Sequence, residues 1–161
     1  MIDKKKKAPL LYAEALVKAR RWCALQERSH SELKEKLFSW EVKYKDIQQI
    51  ISDLIEEGFL SEERFAKSFA GGKFRIKHWG KNKITQQLQR KGVSEKNIET
   101  GLKEIDNNDY RKTIKKLIQK KLPSLKSFSD FNKKGKLSQY LALKGFEIDL
   151  VWDVIREELG E

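Results

Sequence analysis

Ile84-Thr85-Gln86-Gln87-Leu88-Gln89-Arg90-Lys91-Gly92-Val93 decides how this chain folds. Ile84 and Leu88, four apart, mark one face of a helix. Gly92 follows where a helix commonly ends in a left-handed residue. Val93, Ile98 and Leu102 carry the apolar series past that turn into a second helix. Moved back by 51 residues, the pattern recurs: Leu33, Leu37, Val42, Ile47 and Ile51 fall on Ile84, Leu88, Val93, Ile98 and Leu102. Further upstream, Ala15 and Ala19 fall on Ala66 and Ala70, and Leu25 on Ile76. Moved forward by 53, Ile84, Leu88, Gly92, Val93, Ile98 and Leu102 land on Leu137, Leu141, Gly145, Phe146, Val151 and Ile155. A constant offset through so many apolar positions is an internal repeat.

The repeat unit is three helices. Ser29-His30-Ser31-Glu32 is a capping box, with Ser29 closing the helix start and Glu32 reaching back. Gly58 ends a helix, and Ser61, followed by two glutamates, starts the next. Gly92 and Gly145 end two more, while Ser94 and Asn108 begin others. Strand signals are nearly absent: there is no period-two alternation and no Asn-Gly or Asp-Gly hairpin turn. The expectation is an all-α fold of about nine helices, a tandem array of three three-helix repeats, elongated and curved because each repeat touches mainly its neighbours. The boundaries read as a basic N-terminal tail over 1–10, then repeats over 11–60, 61–106 and 107–161. The first helix of the third copy aligns loosely. Leu122-Pro123 interrupts it, and a loop is expected over 123–127 because proline disfavours helix at the preceding residue.

Charge is distributed as unevenly as the apolar pattern is regular. The chain has 161 residues and a net charge of +11. Residues 1–63 balance to zero, 64–94 hold nine basic groups and no acid, and 111–146 hold eleven basic groups against one acid, Asp130. The last fifteen residues carry six acids and one base. A solvated helix face normally mixes signs, because opposite charges four apart support the helix. A 31-residue run without an acid gives up that support, and a polyanionic partner would offset the self-repulsion. One cysteine, Cys23, excludes an internal disulfide and suits a reducing compartment. Neither an apolar run of signal-peptide type nor one of about 18 residues occurs, so the sequence reads as a soluble cytoplasmic protein with no membrane partner.

Four motifs carry a family resemblance. Ser31-Glu32-Leu33-Lys34-Glu35-Lys36-Leu37 resembles the first-repeat pattern of the RecX family. Gly58-Phe59-Leu60-Ser61-Glu62-Glu63-Arg64-Phe65-Ala66 is similar to its most specific signature: Gly-aromatic-Leu, an acidic pair, then Arg-Phe-Ala. Lys83-Ile84, Leu88 and Lys91-Gly92-Val93 resemble the second-repeat motif, and Lys144-Gly145-Phe146 the third. The resemblance covers roughly residues 12–157. Two departures stand out: Lys81 follows Gly80 where the family often has proline, and the first copy has Trp40-Glu41-Val42 where later copies have Lys-Gly. The resemblance implies a regulator that binds the RecA recombinase filament on single-stranded DNA and reduces its growth, ATP hydrolysis and strand exchange; a monomer is the default expectation for an end-capped array. The competing class is a helical DNA-binding protein acting independently of RecA, since three-helix units also resemble helix-turn-helix folds.

The candidate contacts are cationic. Lys73, Arg75, Lys77, Lys81 and Lys83 interleave with Phe74, Ile76 and Trp79, the composition that meets phosphates and stacks on unpaired bases. Phe74 and Ile76 are expected in the core, and Trp79 either in the core or exposed. Arg90 and Lys91 follow on the next helix, and Lys91 shares a repeat position with Lys144. In the third copy, Lys133, Lys134 and Lys136 precede the amphipathic run Leu137, Tyr140, Leu141, and Lys115, Lys116, Lys120 and Lys121 line the first helix. Gly71-Gly72 is expected to permit close helix packing, and Arg64 to pair with Glu62, Glu63 or a neighbouring helix end. Lys4–Lys7 reads as a disordered tail adding nonspecific affinity. An enzyme is not expected. The strongest basic block lacks the carboxylates a two-metal nuclease needs, His30 and His78 have no ligand-spaced partners, Cys23 reads as a small core residue, and no phosphate-binding glycine loop exists. No cofactor is implied.

Overall fold

The computed structural model describes residues 9–161, so the Lys4–Lys7 tail lies outside the described residues. Among the described residues the chain is nine α-helices, one short 3-10 turn and no strand. Helices α1 (Tyr12–Leu25), α2 (His30–Ser39) and α3 (Tyr44–Glu56) pack together as one unit. Helices α4 (Glu62–Lys77), α5 (Lys81–Arg90) and α6 (Glu95–Leu102) form the second. The third has α7 (Asn107–Lys121), the 3-10 turn Leu122–Leu125, α8 (Asp130–Leu143) and α9 (Ile148–Leu159).

Local chemistry sets most of these ends. Ser29 and Glu32 form the reciprocal capping box, and the hydroxyls of Ser61, Ser94 and Ser129 accept from the backbone N–H three residues on. Each such cap stabilises its helix by about 1 kcal/mol. Helix α7 starts two residues before the sequence suggests, because the Asp106 carboxylate rather than Asn108 caps it. The segment after Leu122 is not an open loop. Pro123 needs no amide donor and sits in the first turn of the 3-10 segment, whose Leu125 is buried. That segment explains the loose alignment of the third copy: Ala66 and Ala70 correspond to Ile114 and Ile118 at an offset of 48, against 53 afterwards.

The repeat positions are the core. Ala15, Ala19, Ala66, Ala70, Leu33, Leu37, Ile84, Leu88, Leu137 and Leu141 are all fully buried. Ile76 is the exception to the expected core. It is 75 % exposed, as is its counterpart Leu25 at 79 %, because both sit in the last turn of a first helix and project past its partners. Gly71 and Gly72 also differ from expectation. A methyl group at Gly71 would meet only the guanidinium of Arg75, and one at Gly72 would meet nothing. The close approaches lie elsewhere, with Gly101 of α6 pressed on the Ala66 carbonyl of α4 and Gly80 on Gly145.

Two quasi-equivalent joints connect the units. At the second, the Gly80 N–H donates to the Lys144 carbonyl (2.8 Å) and the Asn82 N–H to that of Gly145 (2.9 Å). The free amides at the start of α5 thereby satisfy orphan carbonyls at the end of α8. At the first joint Ser31, 51 residues before Asn82, donates through its hydroxyl to the carbonyl of Lys91 (2.9 Å), 53 residues before Lys144. The two joints differ in texture. The second continues one apolar core through repeats two and three, whereas the first repeat has a core of its own. Tyr110 anchors the second joint. Its ring lies between Phe74 and Phe146, and its hydroxyl donates to Glu147 and accepts from the Lys81 N–H (2.9 Å). A proline at 81 would have no N–H to give, which is a use for the departure from the family pattern.

Candidate nucleic-acid and partner interface

The joints place three helices so that one stripe runs across them. Positions 83 and 87 of α5 and its C-cap, 91, lie one above another at i, i+4 and i+8. The offsets carry them onto Glu32, Lys36 and Trp40 in the first repeat and onto Lys136, Tyr140 and Lys144 in the third. The third position is the C-terminal cap of its helix in every repeat. Aromatic rings underlie the cations throughout. Lys36 stands 5.7 Å from the Trp40 ring centroid, Lys73 and Lys83 stand 5.0 and 4.6 Å from that of Trp79, and Lys121 and Lys144 stand 5.1 and 5.7 Å from that of Tyr140. Trp79, half-buried and edge-on to Phe69 at 6.4 Å, is both core and surface: it packs on Phe69 and carries the ammonium groups of Lys73 and Lys83. It is set there by His78, whose left-handed backbone (φ 54) closes α4.

Neighbouring stripes touch at the joints, with opposite electrostatics. At the first joint the Lys91 ammonium pairs with Glu32 at 2.8 Å, both side chains less than a third exposed. A cavity of about 480 Å³ lies beside this pair, walled by Phe69, Lys73, Trp79 and Gln87. At the second joint the equivalent of Glu32 is Lys83 and the equivalent of Lys91 is Lys144. The Lys144 ammonium is held below its ordinary pKa, first by burial and then by the charges of Lys83 and Lys120. A salt bridge in one joint is thus a cluster of like charges in the next, and there the two basic blocks of the sequence meet.

Not every candidate residue joins the stripe. Arg75 folds back over Gly71, on a different side of α4 from Lys73, and Lys77 is exposed in the last turn of α4. Lys81 turns toward Tyr110 (4.8 Å to the ring) and Asn107, and Arg90 is exposed at the end of α5. Lys133 lies 3.9 Å from Asp130, while Lys134 and Lys136 flank a notch at the start of α8. Part of the basic surface of α7 is neutralised: Arg111 pairs with Glu157, and Lys115 with Glu158 at 3.2 Å. Arg64 is structural, pairing with Glu27 (2.9 Å) and donating to the Gly58 carbonyl (2.7 Å) at the end of α3. Glu62 instead accepts from Ser94 and Asn97 at the start of α6. Phe69, Gln87 and Tyr140 belong to the stripe although residue chemistry did not single them out; the 53-residue offset, which places Gln87 on Tyr140, was the signal for two of them. Among the described residues no group of three or more His, Cys, Asp or Glu could hold a metal ion, and no helix is long and apolar enough to cross a membrane.

Comparison with known proteins agrees with this architecture. The model of the second three-helix domain of RecX matches residues 61–102, and that of the third matches residues 109–155, together more than half of the chain. The chain belongs to the RecX family. A regulatory protein RecX from Clostridium botulinum is 31 % identical over 166 residues, covering 99 % of this chain and 77 % of that one. One from Pelodictyon phaeoclathratiforme is 32 % identical over 145 residues, covering 90 % and 86 %. Another from Clostridium botulinum is 36 % identical over 116 residues, but that match spans only 54 % of the relative's length. The crystal structure of RecX from Lactobacillus salivarius superposes with a TM-score of 0.82 at 24 % identity, over 91 % of this chain and 95 % of that one. A second RecX crystal structure gives 0.79 at 21 % identity, over 91 % and 73 %. These two show the tandem helical fold of the RecX family. The relatives carry the name of a regulatory protein, and their likeness supports a regulatory function for this RecX-family chain.

Proposed function

We propose that this RecX-family chain binds the RecA recombinase filament on single-stranded DNA and lowers its ATPase and strand-exchange activity. The observation that carries the reading is the second joint, where Lys83 packs on Gly145 beside Lys144 and two lysines stand in the place of the first joint's ion pair. Like charges held this close oppose folding, and an elongated anionic partner would relieve them. A stripe spanning three repeats suits a partner that is itself long and repetitive. Of the candidate contacts, Lys73, Lys83, Lys91, Lys136 and Lys144 lie along the stripe, with Lys133 and Lys134 beside its far end. Arg75, Lys77, Lys81 and Arg90 take secondary places. The protein acts as a monomeric clamp, its repeats bridging successive protomers. Inhibition then requires that it prefer one filament state, or block subunit addition or the incoming duplex.

RecA ATPase on single-stranded DNA, with and without the protein, tests this. A fall at amounts up to equimolar with RecA, in salt that abolishes the protein's binding to bare DNA, is expected. An unchanged rate overturns the reading. A fall that vanishes together with bare-DNA binding as salt rises favours the independent DNA binder, whose affinity drops by a slope of about −0.7 per neutralised phosphate.

A further inference from the structure

Helix α8 is one turn longer at its start than its counterparts. Helix α2 begins at 30 and α5 at 81, and the 53-residue offset predicts a start at 134, whereas α8 begins at Asp130. The extra turn presents Phe131, which is 85 % exposed. With Asn132, Lys134, Lys136 and the half-buried Trp152 of α9, Phe131 walls an open notch of about 480 Å³. Gly135 lies one turn along the same row. A helix-interior glycine weakens a helix by roughly 1 kcal/mol relative to alanine. Neither conformation nor packing demands one here: the backbone is right-handed and a methyl group would meet nothing within 4 Å. What the missing side chain does is keep the wall of the notch open.

We propose that this notch holds an unpaired nucleotide of single-stranded DNA, its base stacked on Phe131 and its phosphates met by Lys134 and Lys136. The charge fits a polyanion. Lys134 and Lys136 line the notch, and Asp130, the one acid of residues 111–146, lies within ion-pair distance of Lys133. An aromatic face exposed among lysines is the arrangement by which single strands are held without sequence preference. Gln139, one turn beyond Gly135, lines the same notch and offers amide groups to a base edge. Lys136 also belongs to the stripe, so a strand in the notch continues along it. This inference rests on the filament reading for its biological setting, and its test contains no recombinase, so the two can fail separately.

The test is anisotropy with a dye-labelled 12-nucleotide oligothymidylate and an abasic strand of equal length. Phe131→Ala and Gly135→Leu are each expected to weaken oligothymidylate binding about tenfold, in line with loss of one stacked base. Neither should change affinity for the abasic strand, and Phe131→Trp should retain binding. Far-UV melting should show both variants folded, since Phe131 is exposed and a leucine at 135 favours helix. Undiminished binding by Phe131→Ala, an equal loss on the abasic strand, or no binding of oligothymidylate by the unmodified protein each overturns the proposal.

Discussion

Replacing Lys83 with glutamate should stabilise the fold while weakening its function. At the first joint, Glu32 pairs with Lys91 at 2.8 Å; the substitution recreates that pair at the second joint with Lys144. Position 83 is the third residue of α5, as Glu32 is of α2, so the carboxylate also meets the positive end of the helix. A partly exposed pair contributes about 0.5–1 kcal/mol, removal of the repulsion among Lys83, Lys120 and Lys144 adds a similar amount, and the helix-end term adds about 0.5 kcal/mol. Against this stands the loss of the Lys83 ammonium over Trp79, about 0.5–1 kcal/mol. The net is about 1 kcal/mol, which for a chain of this size raises Tm by about 2–4 °C. Calorimetry in low salt measures it, with Lys83→Gln expected to give a smaller gain and high salt expected to shrink both. The same Lys83→Glu protein should bind the RecA filament more weakly. A lower Tm for Lys83→Glu, or one that matches Lys83→Gln, refutes the equivalence of the two joints.

Three further outcomes follow from the backbone and the core. Gly80→Ala places a methyl group 2.2 Å from the Gly145–Phe146 backbone and must open the joint, losing the two hydrogen bonds there; a loss of about 3 kcal/mol in urea unfolding is expected, whereas Gly72→Ala, which meets nothing, should gain about 0.5–1 kcal/mol. Glu41 holds a left-handed backbone (φ 58) at the position of Gly92 and Gly145; Glu41→Gly should stabilise the first repeat by about 0.5–1 kcal/mol in the same assay, and destabilisation would contradict the strain. Cys23 is buried and burial pushes its thiol up to about 11, so at pH 8 only about one thousandth is thiolate; labelling by a thiol reagent should therefore be slow and, because the first repeat has a separate core, should track amide exchange in α1–α3 and run ahead of exchange in α4–α9.

The fold was legible in the sequence because the repeat is written in apolar spacing and helix ends are written in local chemistry. Ser29, Ser61 and Ser94 cap through bonds three residues long, and such bonds leave a signature in the chain itself. What failed was non-local. Ile76 sits at a repeat position, yet burial there depends on how far the facing helix extends. The glycines that matter for packing, Gly80, Gly101 and Gly145, meet backbone 65, 35 and 62 residues away, which no local pattern marks, whereas the conspicuous Gly71-Gly72 pair faces Arg75 and open space. Nothing in the structure explains Gly72. The charge blocks were countable, but not that Glu157 and Glu158 lie on Arg111 and Lys115. Nor could charge counting tell Lys73 and Lys83, which share Trp79, from Arg75, which lies apart.

Whether position or mere charge governs function is decided by the affinity of the labelled protein for a RecA filament preassembled on single-stranded DNA. The comparison pairs the Lys73, Lys83 and Lys144 charge reversal with an equal reversal at Arg75, Lys77 and Lys112. Loss of more than tenfold for the first set and less than about threefold for the second is predicted, from phosphate or carboxylate contacts confined to the stripe. Equal losses would mean that net charge alone attracts the filament, and the stripe would have no privileged role.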